Sequence, residues 1–163
     1  MKPDNMKTRF YLYGLLIISV LAQAILVSRI ERFPDVILLM VVFTGIFLGG
    51  ADGASFGFIA GFFRGCLSVD TLALDILIFP AVGALSSLLP RMFYRQNPAA
   101  QVITTATAAF MVIAAHTFYL NMTSGNDIGI PFVILMSRRS LIMTVLVSPF
   151  AFAFLKWLLR LKP

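Results

Sequence analysis

The stretch Gly49-Gly50-Ala51-Asp52-Gly53-Ala54-Ser55-Phe56-Gly57-Phe58-Ile59-Ala60-Gly61-Phe62-Phe63-Arg64-Gly65 decides how this chain is read. A glycine recurs at every fourth position: Gly49, Gly53, Gly57, Gly61 and Gly65. Positions four apart lie on one face of an α-helix, so the five glycines predict a smooth ridge. From Phe56 onward, phenylalanine and isoleucine take most of the positions between them. A ridge of small residues lets a second helix backbone approach closely, and dispersion contacts then hold the pair. Two partners satisfy that pattern: another helix of this chain, or a transmembrane helix of a different protein. The first four or five residues of the stretch read as a tight, glycine-rich turn, so the helix is expected over about 53–67.

Outward from this stretch the chain remains apolar. Of its 163 residues, 60% are hydrophobic and 12% charged. A soluble domain carries about 25% charged residues, so this chain lacks the polar surface to cover a globule. Apolar runs fall at about 10–27, 34–48, 53–67, 72–89, 102–120 and 140–159. A full helical crossing needs about 20 residues. The fold expected is therefore an all-α integral membrane protein of about six transmembrane helices, forming one polytopic domain over 1–163. The runs at 34–48 and 53–67 are short and fit a tilted or partly inserted hairpin. A short apolar piece at 130–136 is expected to lie apart from the last span, at the interface.

The net charge of +6 has its cations at the ends of apolar runs. That placement fits a bias toward cytoplasmic loops better than nucleic-acid binding. With six spans, Lys2, Lys7, Arg9, Arg91, Arg95, Lys156, Arg160 and Lys162 share one side. Arg29, Arg32, Arg64, Arg138 and Arg139 share the other. The richer side predicts both termini in the cytoplasm. Ala22-Gln23-Ala24 has the look of a signal-peptide cleavage site, but the apolar run continues to Val27, so an uncleaved first helix is expected.

Ionisable residues inside apolar runs mark sites, because a charge at mid-bilayer costs about 2.5–3.5 kcal/mol on insertion scales. Arg64 pairs naturally with Asp70 or Asp75. The competing reading leaves all three wet at a helix end. Asp35, after Pro34, opens the second helix, where an acid complements the dipole. His116, the single histidine, reads as a helix-end interfacial residue, and one histidine builds no His-based metal site. Cys66, the single cysteine, reads as a small buried hydrophobe. Asn121-Met122-Thr123 fits a glycosylation sequon that matters only in a eukaryotic secretory setting. Asp52, Asp70 and Asp75 do not reproduce the carboxylate spacing of a membrane alcohol-phosphotransferase. No nucleophile–base pair, zinc motif or phosphate-cradling loop occurs, so neither an enzyme nor a cofactor is expected.

Pro34-Asp35-Val36-Ile37-Leu38-Leu39, the glycine-spaced 53–63, the small-residue-rich 72–89 and Ser148-Pro149-Phe150 before a basic tail resemble the bacterial rod shape-determining protein MreD. The motifs cover residues 34–89 and about 140–160; length and hydropathy match over the whole chain. The resemblance implies a fold similar to the substrate-binding subunit of energy-coupling-factor transporters. It implies a non-catalytic scaffold of the elongasome in the bacterial inner membrane. Such a scaffold binds an MreC-like partner and, through it, MreB and the peptidoglycan synthases, and helps position wall synthesis to maintain rod shape. Pro34, Asp35 and Pro149 carry the family motif. One departure stands out: the family usually has an aspartate at the end of the third span, where this chain has Arg64. The alternative function on the same fold is a small-molecule (vitamin) binding subunit of a transporter, whose mark is polar and aromatic residues converging from several helices.

Overall fold

The structure is a computed structural model. It describes residues 5–27, 34–67, 71–88, 97–124 and 130–159, with side chains placed over 10–25, 34–67, 71–88, 97–123 and 142–159. The described residues form six α-helices and no strand: α1 (Asn5–Val27), α2 (Val36–Phe47), α3 (Gly50–Leu67), α4 (Leu72–Leu85), α5 (Pro98–Ser124) and α6 (Ile130–Leu158).

α2 is the axis of the bundle and touches all five other helices. Its apolar residues run all round it, and every position from Ile37 to Ile46 is buried. A helix without a polar face is buried in protein or in lipid, and here it takes the middle of the bundle. Asp35 caps its start, accepting from the Leu38 N–H at 3.1 Å. Its end is set by Gly49, at φ +116°, a conformation that suits glycine. The N–H groups of Leu48 and Gly49 both donate to the Thr44 carbonyl, at 2.9 and 3.3 Å, closing the last turn. Phe43 lies at the centre, with ring centroids 4.7 Å from Phe47 and 5.8 Å from Phe152 of α6.

α3 starts at Gly50, so the turn is shorter than the sequence suggested. Gly49 belongs to that turn and lies off the ridge; a Cβ on it would meet nothing within 4 Å. The other four glycines form the ridge as expected, and α4 of the same chain covers it. The register is antiparallel and regular. A Cβ added to Gly53 would strike the carbonyl of Gly83, one on Gly57 that of Phe79, and one on Gly61 that of Asp75. A Cβ on Gly65 would sit 2.8 Å from the Leu72 Cα. Gly45 of α2 joins at the far end, its Cα 2.7 Å from where a Gly53 Cβ would be. Three backbones thus converge at Gly45, Gly53 and Gly83.

α4 continues through Pro80, and α6 continues through Pro149. Residues 130–136, expected as a separate interfacial piece, are instead the first two turns of α6. α4 ends at Leu85, and residues 86–88 form a turn where the fourth run was expected to continue to 89. Cys66 is exposed, not buried: it lies off the glycine face that α4 covers.

The outer surface is strongly apolar. Phe10, Tyr11, Ile18 and Leu21 on α1, Leu77 on α4, Phe110 and Phe118 on α5, and Leu146, Phe150 and Trp157 on α6 all point outward. One helix among the described residues, over Pro98–Thr123, is long and apolar enough by itself to cross a membrane, with mean hydropathy 1.5. Phe10–Ile25, Val36–Phe47, Leu72–Leu85 and Ile142–Leu158 are apolar and shorter.

Candidate functional site, a six-helix polar cluster

The tight α3–α4 pairing fixes where the charges lie. Gly61 packs on the backbone of Asp75, and Arg64 follows Gly61 by three residues on the same helix. Asp75 is 1% exposed, and Arg64 Nε is 4.0 Å from its Oδ2. The closer partner of Arg64 is on another helix: its Nη1 donates to Asp35 Oδ2. Asp35 divides its carboxylate between two tasks, with Oδ1 on the Leu38 N–H and Oδ2 on the guanidinium. The Arg64 guanidinium also lies 5.1 Å from the centroid of the Phe79 ring, a cation–π distance.

The remaining helices each add a polar group. His116 of α5 places Nε2 3.1 Å from Asp75 Oδ1, while its Nδ1 donates to the Val112 carbonyl at 2.9 Å. Thr144 of α6 accepts from the Asp35 N–H at 2.9 Å. Gln23 of α1 brings Nε2 to 3.5 Å from Asp35 Oδ1, the outer limit of a hydrogen bond. Thr71, just before α4, donates to Asp75 Oδ2 at 3.3 Å. All six helices therefore meet at one ionic cluster built on Asp35, Arg64, Asp75 and His116. Its depth follows from helix lengths. Beyond His116, α5 continues for about 12 Å, and α6 begins about 20 Å before Thr144, at 1.5 Å per residue. The cluster is recessed below the ends of both long helices.

The sequence reading placed Arg64 and Asp75 together and left open that both were wet; Asp75 is in fact buried. Asp70, the other proposed partner, lies outside the described residues, as do the basic positions Arg29, Arg32, Arg91 and Arg95. Two members of the cluster were missed as such. Asp35 was assigned to a helix start and to the family motif, and His116 chiefly to an interfacial helix end. The available signal was that each is a lone ionisable group beside an apolar run, where a partner is the rule. Pro34 sits just before the cap of α2, and Pro149 lies within α6 away from the charges.

No group of three or more His, Cys, Asp or Glu side chains able to hold a metal occurs among the described residues. A cavity of about 10 Å³, room for one water, lies at the opposite end of α2 between Leu12, Tyr13, Thr44, Leu48, Asp52 and Phe56. No family model, no curated protein and no solved structure matches this chain.

Proposed function

We propose that this chain is a multi-pass membrane scaffold of the MreD type, with both termini in the cytoplasm of a bacterial cell and its body in the inner membrane. The observation that carries the membrane part is the inversion of polarity. Aromatic and aliphatic side chains cover the outside, Phe10, Leu77, Phe150 and Trp157 among them, while Asp35, Arg64, Asp75 and His116 face one another inside. Intramembrane charges face the bundle interior and pair there. α2 is too short to span alone, and its capped, charged start sits where the longer α5 and α6 surround it.

The scaffold part rests on the residues that carry the resemblance to MreD. Asp35 caps a central helix, the glycine-spaced α3 locks onto α4, and Pro149 lies in the last helix. Because α4 occupies the ridge, an MreC-like partner would have to use an outer apolar face, in competition with lipid. Through that partner the chain would reach MreB and the peptidoglycan synthases. The test is co-purification with an MreC-like protein in mild detergent, together with depletion in a rod-shaped host. Complex formation and rounding of depleted cells are expected; rods of normal shape with no complex would overturn the reading. Reporter fusions at each terminus check the topology.

A second reading has one observation in its favour. Polar side chains from all six helices converge on one point, as in a small-molecule binding subunit of a transporter. Most of those groups already bond to one another, however, and the cavity of about 10 Å³, at the other end of α2, is far below the several hundred Å³ a vitamin needs. Mass spectrometry of the chain purified from native membrane separates the two: a retained vitamin-sized ligand supports the transporter reading.

A further inference from the structure

Among the described residues, the charges in the cluster do not balance. Asp35 and Asp75 supply two negative charges and Arg64 one positive charge. Gln23 from α1 and Thr144 from α6 add none, and the described residues supply no other charged group to it. Among the described residues one negative charge is left over, in a place where Asp75 is 1% exposed. An unbalanced buried charge is strongly destabilising.

The bonding at His116 points the same way. A carbonyl only accepts, so Nδ1 must carry a hydrogen to bond Val112 O at 2.9 Å. In a neutral ring Nε2 is then an acceptor, and it lies 3.1 Å from a carboxylate oxygen, also an acceptor. Two lone pairs at that range repel. Asp75 Oδ1 is, moreover, a buried acceptor with no aligned hydrogen-bond donor. A hydrogen on Nε2, with a small ring rotation, removes the repulsion, supplies the donor and neutralises the cluster together.

The geometry points to a proton-binding site at the His116–Asp75 contact, in which an imidazolium on α5 is held by the carboxylate on α4. Arg64 is the cation beside Asp75, at 4.0 Å, and the bound proton is placed on His116 Nε2. With the proton bound, α5 is latched to α4 by an ion pair. With the proton lost, Nε2 and Oδ1 repel, Asp75 is left with Arg64 as its cation, and the α4–α5 contact opens at this end. The inference does not rest on the scaffold reading; it needs only the cluster.

The chain has one histidine, so a histidine-labelled preparation without a polyhistidine tag reports His116 alone. The full chain is reconstituted in nanodiscs and the ring nitrogens are followed by NMR through a pH titration, in wild type and Asp75→Asn. The expected result is a tenfold or greater loss of proton affinity at His116 in the variant; a smaller change overturns the proposal. If Asp75→Asn does not fold, the wild-type chain decides. A slowly exchanging Nε2–H supports the proposal. An Nε2 that never carries a hydrogen, or one that exchanges as freely as a solvent-exposed imidazole, overturns it.

Discussion

Arg64, one turn from the end of α3, donates to Asp35, the N-cap of α2, across 29 residues of sequence. The contact makes one carboxylate serve two structural purposes: it accepts from the Leu38 N–H, one of the orphan donors of the central helix, and anchors the guanidinium. It also ties the start of the innermost helix to the α3–α4 hairpin at the level where α5 and α6 contribute His116 and Thr144.

Removing Asp35 should therefore cost more than a cap. Losing an N-cap costs about 1 kcal/mol. Stripping a partner from a buried ion costs about 3–5 kcal/mol. Arg64 keeps Asp75 at 4.0 Å, which offsets part of the second figure. Asp35→Ala is expected to lower the thermal midpoint in detergent well below that of Asp35→Asn, which retains a capping oxygen. Equal midpoints for the two variants would show that the capping oxygen contributes nothing, and an Asp35→Asn midpoint equal to wild type would show that Arg64 does not depend on the charge.

The glycine ridge gives a graded series. Gly61→Ala places a methyl against the Asp75 backbone, and overpacking of this kind costs about 1–3 kcal/mol. Gly57→Ala meets the Phe79 and Pro80 backbone and should behave alike. Gly14, inside α1, has nothing within 4 Å of an added Cβ, so Gly14→Ala should be neutral or stabilising by up to about 1 kcal/mol. Thermal unfolding of the three variants, read against wild type, separates a packed ridge from general intolerance of alanine.

Gly49 is sensitive for a different reason. Space is open around it, but its φ of +116° strains any side-chain-bearing residue. Such strain costs about 1–3 kcal/mol. Gly49→Ala should lower the unfolding midpoint even though it creates no clash, and Gly49→Asn should lower it less than Gly49→Ala.

Phe110 tests the proposed membrane environment. It projects outward from the middle of α5, the one described helix able to span alone. Phe110→Lys should cost about 2.5–3.5 kcal/mol for insertion at mid-bilayer. The expected outcome is a sharp fall in the membrane-extracted yield. Unchanged yield, or a variant that is more soluble without detergent, would show that this face meets water.

Phe43 tests the core. It is fully buried between Phe47 and Phe152, so Phe43→Ala should cost about 3–5 kcal/mol. Phe43→Leu should cost much less. Both are measured as loss of thermal stability in the same detergent.

What the sequence determined by itself was local. The apolar runs gave the helices, the four-residue period gave the ridge at Gly53, Gly57, Gly61 and Gly65, and Pro34-Asp35 marked the start of α2. Each follows from interactions within a few residues along the chain: backbone hydrogen bonding, side-chain period and capping. The tertiary structure decided which surfaces meet. It assigned the ridge to α4 rather than to another protein, and it put α2 in the middle, a choice that an all-apolar helix leaves open between protein and lipid. It also joined Asp35 and His116 to Arg64 and Asp75. That last contact depends on the rotation and depth of helices far apart in sequence. Close packing at Gly45, Gly53 and Gly83 fixes α2, α3 and α4 against one another, and no period in the residues around His116 encodes where α5 joins them.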